Sequence, residues 1–206
     1  VTFGGTLLVL DLAGTFVFAL SGALAAARLR LDLVGMFALA LVTATGGGAL
    51  RSFMVGDFPV PLLRTPWPFA LILLATVVAF GFRPVIERMD KPIRFFDAIG
   101  LGVFVATGVA ISLDLGQPWW AALLLGCITA TFGGVLRDVL RNEVPLIFRP
   151  GELYAITAFF GAVVFLGLEL GLGWFPRHLA MIAGASATIA LRLFAMYFRW
   201  QTQPTG

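Results

Sequence analysis

Seven apolar stretches of bilayer-spanning length follow one another along the chain, at about 6–27, 34–52, 67–86, 95–113, 119–137, 153–172 and 178–198. A hydrocarbon core about 30 Å thick takes roughly 20 helical residues, so seven crossings use about 140 of them. In a chain of 206 residues only loops and ends remain, which leaves no room for a water-soluble domain. Composition agrees, with 60% hydrophobic and 12% charged residues against about half and a quarter in soluble domains. The runs are too long and too continuously apolar for the alternating ten-residue strands of an outer-membrane barrel. The expected fold is an all-α membrane protein with seven transmembrane helices, a single domain over residues 1–206. The first run carries Asp11 with no basic residue before it, so it is expected to be a membrane helix rather than a cleaved leader.

The net charge of +3 is spread between apolar runs, which reads as a topology signal; no nucleic-acid partner is expected. Arg28, Arg30, Arg83, Arg88, Lys91, Arg94, Arg137, Arg141, Arg149 and Arg199 fall on one side, and Arg51, Arg64 and Arg177 on the other. The positive-inside rule then puts the N-terminus outside and the C-terminus in the cytoplasm. Trp67, Trp119, Trp120, Trp174 and Trp200 sit near span ends, as an interfacial aromatic belt does.

A shift of 86 residues superposes the sequence on itself. It aligns Asp11 with Asp97, Gly14 with Gly100, Val17-Phe18 with Val103-Phe104 and Gly22 with Gly108. The same shift pairs Thr43-Ala-Thr45 with Thr129-Ala-Thr131, Gly47-Gly48 with Gly133-Gly134 and Leu50-Arg51 with Leu136-Arg137. After a slip of two residues the match resumes at Pro61-Leu62 against Pro145-Leu146. The unit therefore holds three helices, about 6–86 and 95–172, with helix seven at about 178–198 appended. Three is odd, so the copies are expected to lie inverted in the membrane, as in many transporters and some channels.

Within helices two and five the repeat carries Thr43, Thr45 and Gly46-Gly47-Gly48 in one copy, and Thr129, Thr131, Phe132 and Gly133-Gly134 in the other. Clustered glycines weaken a helix by about 1 kcal/mol each relative to alanine and favour a kink or an unwound stretch. Freed carbonyls and threonine hydroxyls then suit a partly dehydrated cation, while the next half-helix N-terminus suits an anion. Close helix packing also uses small residues, but it asks for neither the threonine pairs nor the arginines.

These paired strings, Gly46-Gly-Gly-Ala-Leu-Arg51 and Gly133-Gly-Val-Leu-Arg137-Asp138, each precede a proline-bearing loop, Asp57-Phe-Pro59 and Glu143-Val-Pro145. Over essentially the whole chain the pattern resembles the bacterial TRIC family, the trimeric intracellular cation channels. The resemblance implies a homotrimer in a bacterial inner membrane, with a pore in each protomer lined by kinked helices two and five. It implies K⁺ as the main permeant ion, with Na⁺ also admitted, and membrane lipid as a partner. Relatives are also catalogued as glycine-transporter-like, so a secondary carrier for a small zwitterion such as glycine is the alternative. Two positions depart from the family pattern: Ser52 replaces an Asp beside Arg51, and Phe132 replaces the first glycine of its triplet.

Ionisable residues inside spans are costly and point to function. Asp11 is expected to meet Arg51 near the outer face and Asp97 to meet Arg137 near the inner face, either as gates or as structural ion pairs. Asp138 is expected to pair with Arg137 or Arg141, Arg192 to snorkel to the cytoplasmic face, and Glu169 to lie at the interface. Cys127 reads as a small core residue, and Ala183-Gly-Ala-Ser-Ala187 as a packing face. With His178 the only histidine, no metal site, cofactor site or catalytic constellation is expected.

Overall fold

Each helix is delimited by a local signal in the sequence, and the loops between them are short. The structure, a computed structural model, describes residues 5–82, 91–171 and 175–198. It contains α1 (Gly5–Arg28), α2 (Leu33–Val55), α3 (Trp67–Gly81), α4 (Lys91–Asp114), α5 (Trp119–Leu140), α6 (Tyr154–Gly171) and α7 (Arg177–Tyr197). A single helical turn, Pro61–Arg64, precedes α3, and a 3₁₀ turn, Leu146–Phe148, precedes α6. Among the described residues there is no strand. Asp32 caps α2, its carboxylate accepting the Gly35 N–H at 2.8 Å, which satisfies one orphan donor of the first turn. Pro68, Pro118 and Pro176 stand at the starts of α3, α5 and α7, where a missing N–H is harmless.

Six of these helices are long and apolar enough to cross a membrane. The third expected crossing is shorter than anticipated: α3 has 15 described residues, about 22 Å at 1.5 Å per residue. Residues 83–86 of that span lie outside the described residues, as do Arg83, Arg88, Trp174, Arg199 and Trp200. Trp67, Trp119 and Trp120 are exposed at the first turns of α3 and α5, where the aromatic belt requires them.

α1, α2, α4 and α5 form the centre. α1 packs on α2 and α4, and α5 on α2 and α4; α3 leans on α1 and α2, α6 on α5 and α4, and α7 on α4 and α6. Turns at positions 86 apart share their conformation. φ is positive at Arg30 and Gly116, and at Gly56 and Asn142. The hydrogen bonds around them match too: Asp57 N–H donates to Ser52 O and Glu143 N–H to Asp138 O, each at 2.9 Å.

α2 and α5 run as unbroken α-helix through their glycines, so the unwound stretches expected there are not present. The glycines bring the two backbones together instead. A methyl group on Gly47 would overlap the Thr129 carbonyl oxygen, and one on Gly133 the Thr43 carbonyl oxygen. This crossing allows no side chain at either position, which is the small-residue packing of membrane helices. α6 and α7 cross likewise, with Gly184 lying against the Gly161 carbonyl, so the packing face read at Ala183–Ala187 is real at Gly184.

Candidate functional site

The four threonines of the repeated string have their hydroxyls turned back onto the helix. Thr43 donates to Leu39 O at 2.6 Å, Thr45 to Leu41 O at 2.7 Å, Thr129 to Leu125 O at 2.6 Å and Thr131 to Cys127 O at 2.8 Å. Such bonds occupy the hydroxyl proton and leave the oxygen lone pairs for another donor or a cation. No backbone carbonyl is freed for coordination, so any ligation by these segments falls to the threonine oxygens.

At the Arg51 end a cavity of about 60 Å³ is lined by Asp11, Thr15, Thr45, Gly48, Arg51, Phe104 and Thr129, among others. That is space for a few water molecules. Arg51 is 1% exposed, and neither its Nε nor its Nη1 has a hydrogen-bond partner among the described residues. Ser52 Oγ and Thr107 Oγ1 are buried and equally unpartnered. Asp11 and Arg51 line the same cavity, so the structure brings the two expected partners to one site, without an ion pair within 4 Å between them among the described residues. The nearby acid in the following loop, Asp57, is taken by Arg64 at 2.6 Å.

The Arg137 end is closed by a continuous network. Arg137 Nη1 donates to Asp97 Oδ1 at 2.6 Å and to Ser21 Oγ at 2.8 Å, while its Nε donates to Asp138 Oδ1 at 2.9 Å. Asp138 also accepts the Leu146 N–H at 3.1 Å and lies 3.8 Å from Arg141, so it serves both expected partners. Tyr154 OH donates to Asp97 Oδ1 at 3.3 Å. The network continues through Arg141 to Glu143 at 2.6 Å and from Glu143 to Arg149 at 2.8 Å. Beside it lies a cavity of about 100 Å³ lined by Arg28, Arg94, Arg137, Arg141, Arg149 and the acids Asp138 and Glu143. Burial lowers the Arg141 guanidinium from the usual arginine range, and Glu143 opposes that shift.

Arg192 departs from expectation. It is 1% exposed, pairs with Glu152 at 2.8 Å and lies 5.2 Å from the centroid of the Tyr154 ring. A carboxylate partner holds it inside the protein here: Glu152, itself half-buried, takes both Arg192 and, at 3.1 Å, Arg94. Tyr154 and Glu152 were missed from sequence: the repeat offsets of 86 and 84 land on Pro68 and Ala70 rather than on a tyrosine. Glu169 pairs with Arg177 at 3.4 Å, and Arg177 also pairs with Asp114 at 2.7 Å. Phe132 is half-buried and does not line either cavity. Cys127 is half-buried too. Among the described residues no group of His, Cys, Asp and Glu is placed to hold a metal ion.

A single family model, described as glycine transporter, matches residues 8–84 and matches again over 94–169. The chain is 34% identical to a crystallised TRIC trimeric intracellular cation channel orthologue from Rhodobacter sphaeroides, with a TM-score of 0.89 covering 95% of this chain and all of that one. The chain belongs to the TRIC family. Another solved TRIC structure, described as a basis for conductance through TRIC cation channels, is 34% identical at a TM-score of 0.81 and covers 96% of each chain. Inner membrane protein YadS of Escherichia coli (strain K12) is 34% identical over 192 residues, 93% of this chain and 91% of its own. A TRIC-family chain with six helices, among the described residues, long and apolar enough to cross a membrane is a multi-pass membrane protein of the cation-channel type and not an enzyme.

Proposed function

We propose that the protein is a K⁺-permeable cation channel of the bacterial inner membrane, assembled as a homotrimer with a pathway through each protomer. The observation that carries this reading is the cavity at the Arg51 end. A carboxylate, Asp11, and the back-bonded Thr15 and Thr45 present oxygen to a cation in a fold whose solved relatives are cation channels. Threonine oxygens with a single carboxylate favour a weakly held, partly hydrated monovalent ion over a tightly chelated divalent one. The pathway runs from that cavity beside the α2–α5 crossing to the network around Arg137. The two halves are inverted copies; equivalent turns, equivalent glycine contacts and the double match of one family model support this. By the charge bias of the loops, the Arg51 end and the N-terminus face outward.

Recording the purified protein in planar bilayers under a KCl gradient tests the channel reading. Discrete currents reversing near the K⁺ potential are expected, and Arg137→Ala, which removes the network's hub, should raise the open probability. A second reading, carriage of a small zwitterion such as glycine, is favoured by the unpartnered Arg51 N–H groups facing Asp11 across the same cavity. A carboxylate would bind the first and an ammonium the second. Silence in bilayers together with saturable glycine uptake into liposomes would replace the channel by this carrier.

A further inference from the structure

The groups around Arg137 show what a buried guanidinium binds in this fold, and the groups around Arg51 are the same save one. Arg137 is held by Asp97, Ser21 and Asp138; 86 residues from these stand Asp11, Thr107 and Ser52. One carboxylate and one hydroxyl are kept, and the second carboxylate has become a hydroxyl. Asp138 accepts from Arg137 Nε and Nη2, each at 2.9 Å, and from the Leu146 N–H at 3.1 Å. At the Arg51 end the matching groups are donors again. Arg51 Nε has no partner among the described residues, and Leu62, the counterpart of Leu146, lines the cavity beside it. Ser52 Oγ adds a third donor. It is fully buried and, unlike the four threonine hydroxyls of the repeated string, is not turned back onto its helix.

Water can satisfy such donors but leaves the charge unpaired, and a buried charge without a counter-ion is among the costliest states of a side chain. The two acids of this end do not supply the counter-ion: Asp11 lines the cavity without an ion pair to Arg51, and Asp57 is taken by Arg64. We propose that Arg51 and Ser52 hold a small monovalent anion of the size of chloride, in the place that the Asp138 carboxylate takes at the other end. The anion and Asp11 then flank Arg51 as Asp138 and Asp97 flank Arg137, so two negative charges about one arginine repeat an arrangement already in the fold. A cavity of about 60 Å³ admits a halide or formate and excludes a sugar acid such as gluconate. Asp138 also has Arg141 at 3.8 Å, whereas the matching position is Val55. The seat at Arg51 therefore has one guanidinium, binds weakly, and fills according to the salt outside. The oxygens of Asp11, Thr15 and Thr45 stay available to a cation, so the inference goes beyond the cation pathway proposed above and adds an anion to the same cavity.

Thermal midpoints of the purified protein in detergent, measured in potassium chloride, formate and gluconate at equal ionic strength, test this, together with crystals of the parent protein grown in bromide. Ser52→Asp brings its own carboxylate to Arg51, and general effects of salt on the surface are common to both proteins. Replacing gluconate by chloride should therefore raise the parent midpoint by about 2–4 °C more than that of Ser52→Asp, the shift expected when chloride stands several-fold above its dissociation constant. Bromide should give an anomalous-scattering peak against Arg51 Nε and Ser52 Oγ. Should Ser52→Asp not fold, that peak decides alone. Salt responses that are equal in parent and variant would overturn the seat, because any anion would then act elsewhere. The absence of a bromide peak at Arg51 would overturn it as well. A gain from formate and none from chloride would overturn the halide and give the seat to a carboxylate, the group that a carried zwitterion presents. No readout here depends on current, so failure of the channel reading in bilayers is seen separately from failure of the anion seat.

Discussion

Ser52 and Asp138 show how one residue separates two otherwise equivalent ends. Asp138 follows Arg137 and takes its Nε at 2.9 Å; Ser52 follows Arg51 at the matching place, and Arg51 Nε has no partner. A hydrogen bond to a charged group contributes about 1.5–3 kcal/mol, and a buried unpaired donor costs a similar amount. Ser52→Asp should therefore raise the thermal midpoint in detergent and, by building a second ionic closure, lower open probability. A midpoint that falls would mean that the Arg51 end needs to stay open and hydrated. Removing a carboxylate should act unequally on the two copies. Asp97→Asn breaks a 2.6 Å buried pair, for which about 3–5 kcal/mol is typical, whereas Asp11→Asn breaks no ion pair and should cost well under half of that. Equal losses in thermal or chemical unfolding would show that Asp11 and Arg51 do pair. The sequence identified both arginines and both aspartates and marked Ser52 as the departure beside Arg51, yet not the difference between the two aspartates, because Tyr154, which donates to Asp97, has no tyrosine at the matching place in the first copy. It also missed Arg192, since a lone arginine near a helix end looks the same whether it reaches water or a carboxylate some 40 residues away in sequence.

At the level of helices, boundaries were legible because apolar length and capping residues set them: α1, α5 and α7 begin or end within about three residues of the hydropathy limits. The state of the glycine strings was not legible, because glycine favours unwinding and close packing alike, and only the neighbouring helix decides between them. Here α5 lies against α2 and closeness wins, which makes the individual glycines distinguishable. Gly47→Ala and Gly133→Ala each drive a methyl group into a backbone carbonyl, and overpacking of that kind costs about 1–3 kcal/mol or more. Gly48→Ala meets nothing closer than Pro61 at 3.9 Å, so the gain in helix propensity of about 1 kcal/mol remains. Thermal midpoints of the three variants should therefore fall, fall and hold or rise. A loss at Gly48 matching the other two would point to a requirement for backbone flexibility in these helices instead of close approach.

Across the whole molecule, two halves with equivalent turns and crossings leave the direction of insertion to a small charge difference. The fold itself is nearly indifferent to which end faces outward: helices α1 and α4 run in opposite senses, and so do α2 and α5. What breaks the tie is arginine distribution. The Arg137 end carries Arg28, Arg94, Arg141 and Arg149 around its cavity, while the loop after α2 carries Arg64, tied to Asp57. Positive loops are retained in the cytoplasm because translocating them is opposed by the insertion machinery and the membrane potential. Exposed sites in the two equivalent loops report the outcome: Phe58 after α2 and Asn142 after α5. In a Cys127→Ala background, an impermeant maleimide should label Phe58→Cys in intact cells and Asn142→Cys only after permeabilisation. The reverse pattern would invert the assignment and turn the Arg51-end cavity toward the cytoplasm. Labelling of both sites in intact cells would mean that the chain inserts in both directions, as a near-symmetric fold permits when its charge bias is too weak to choose.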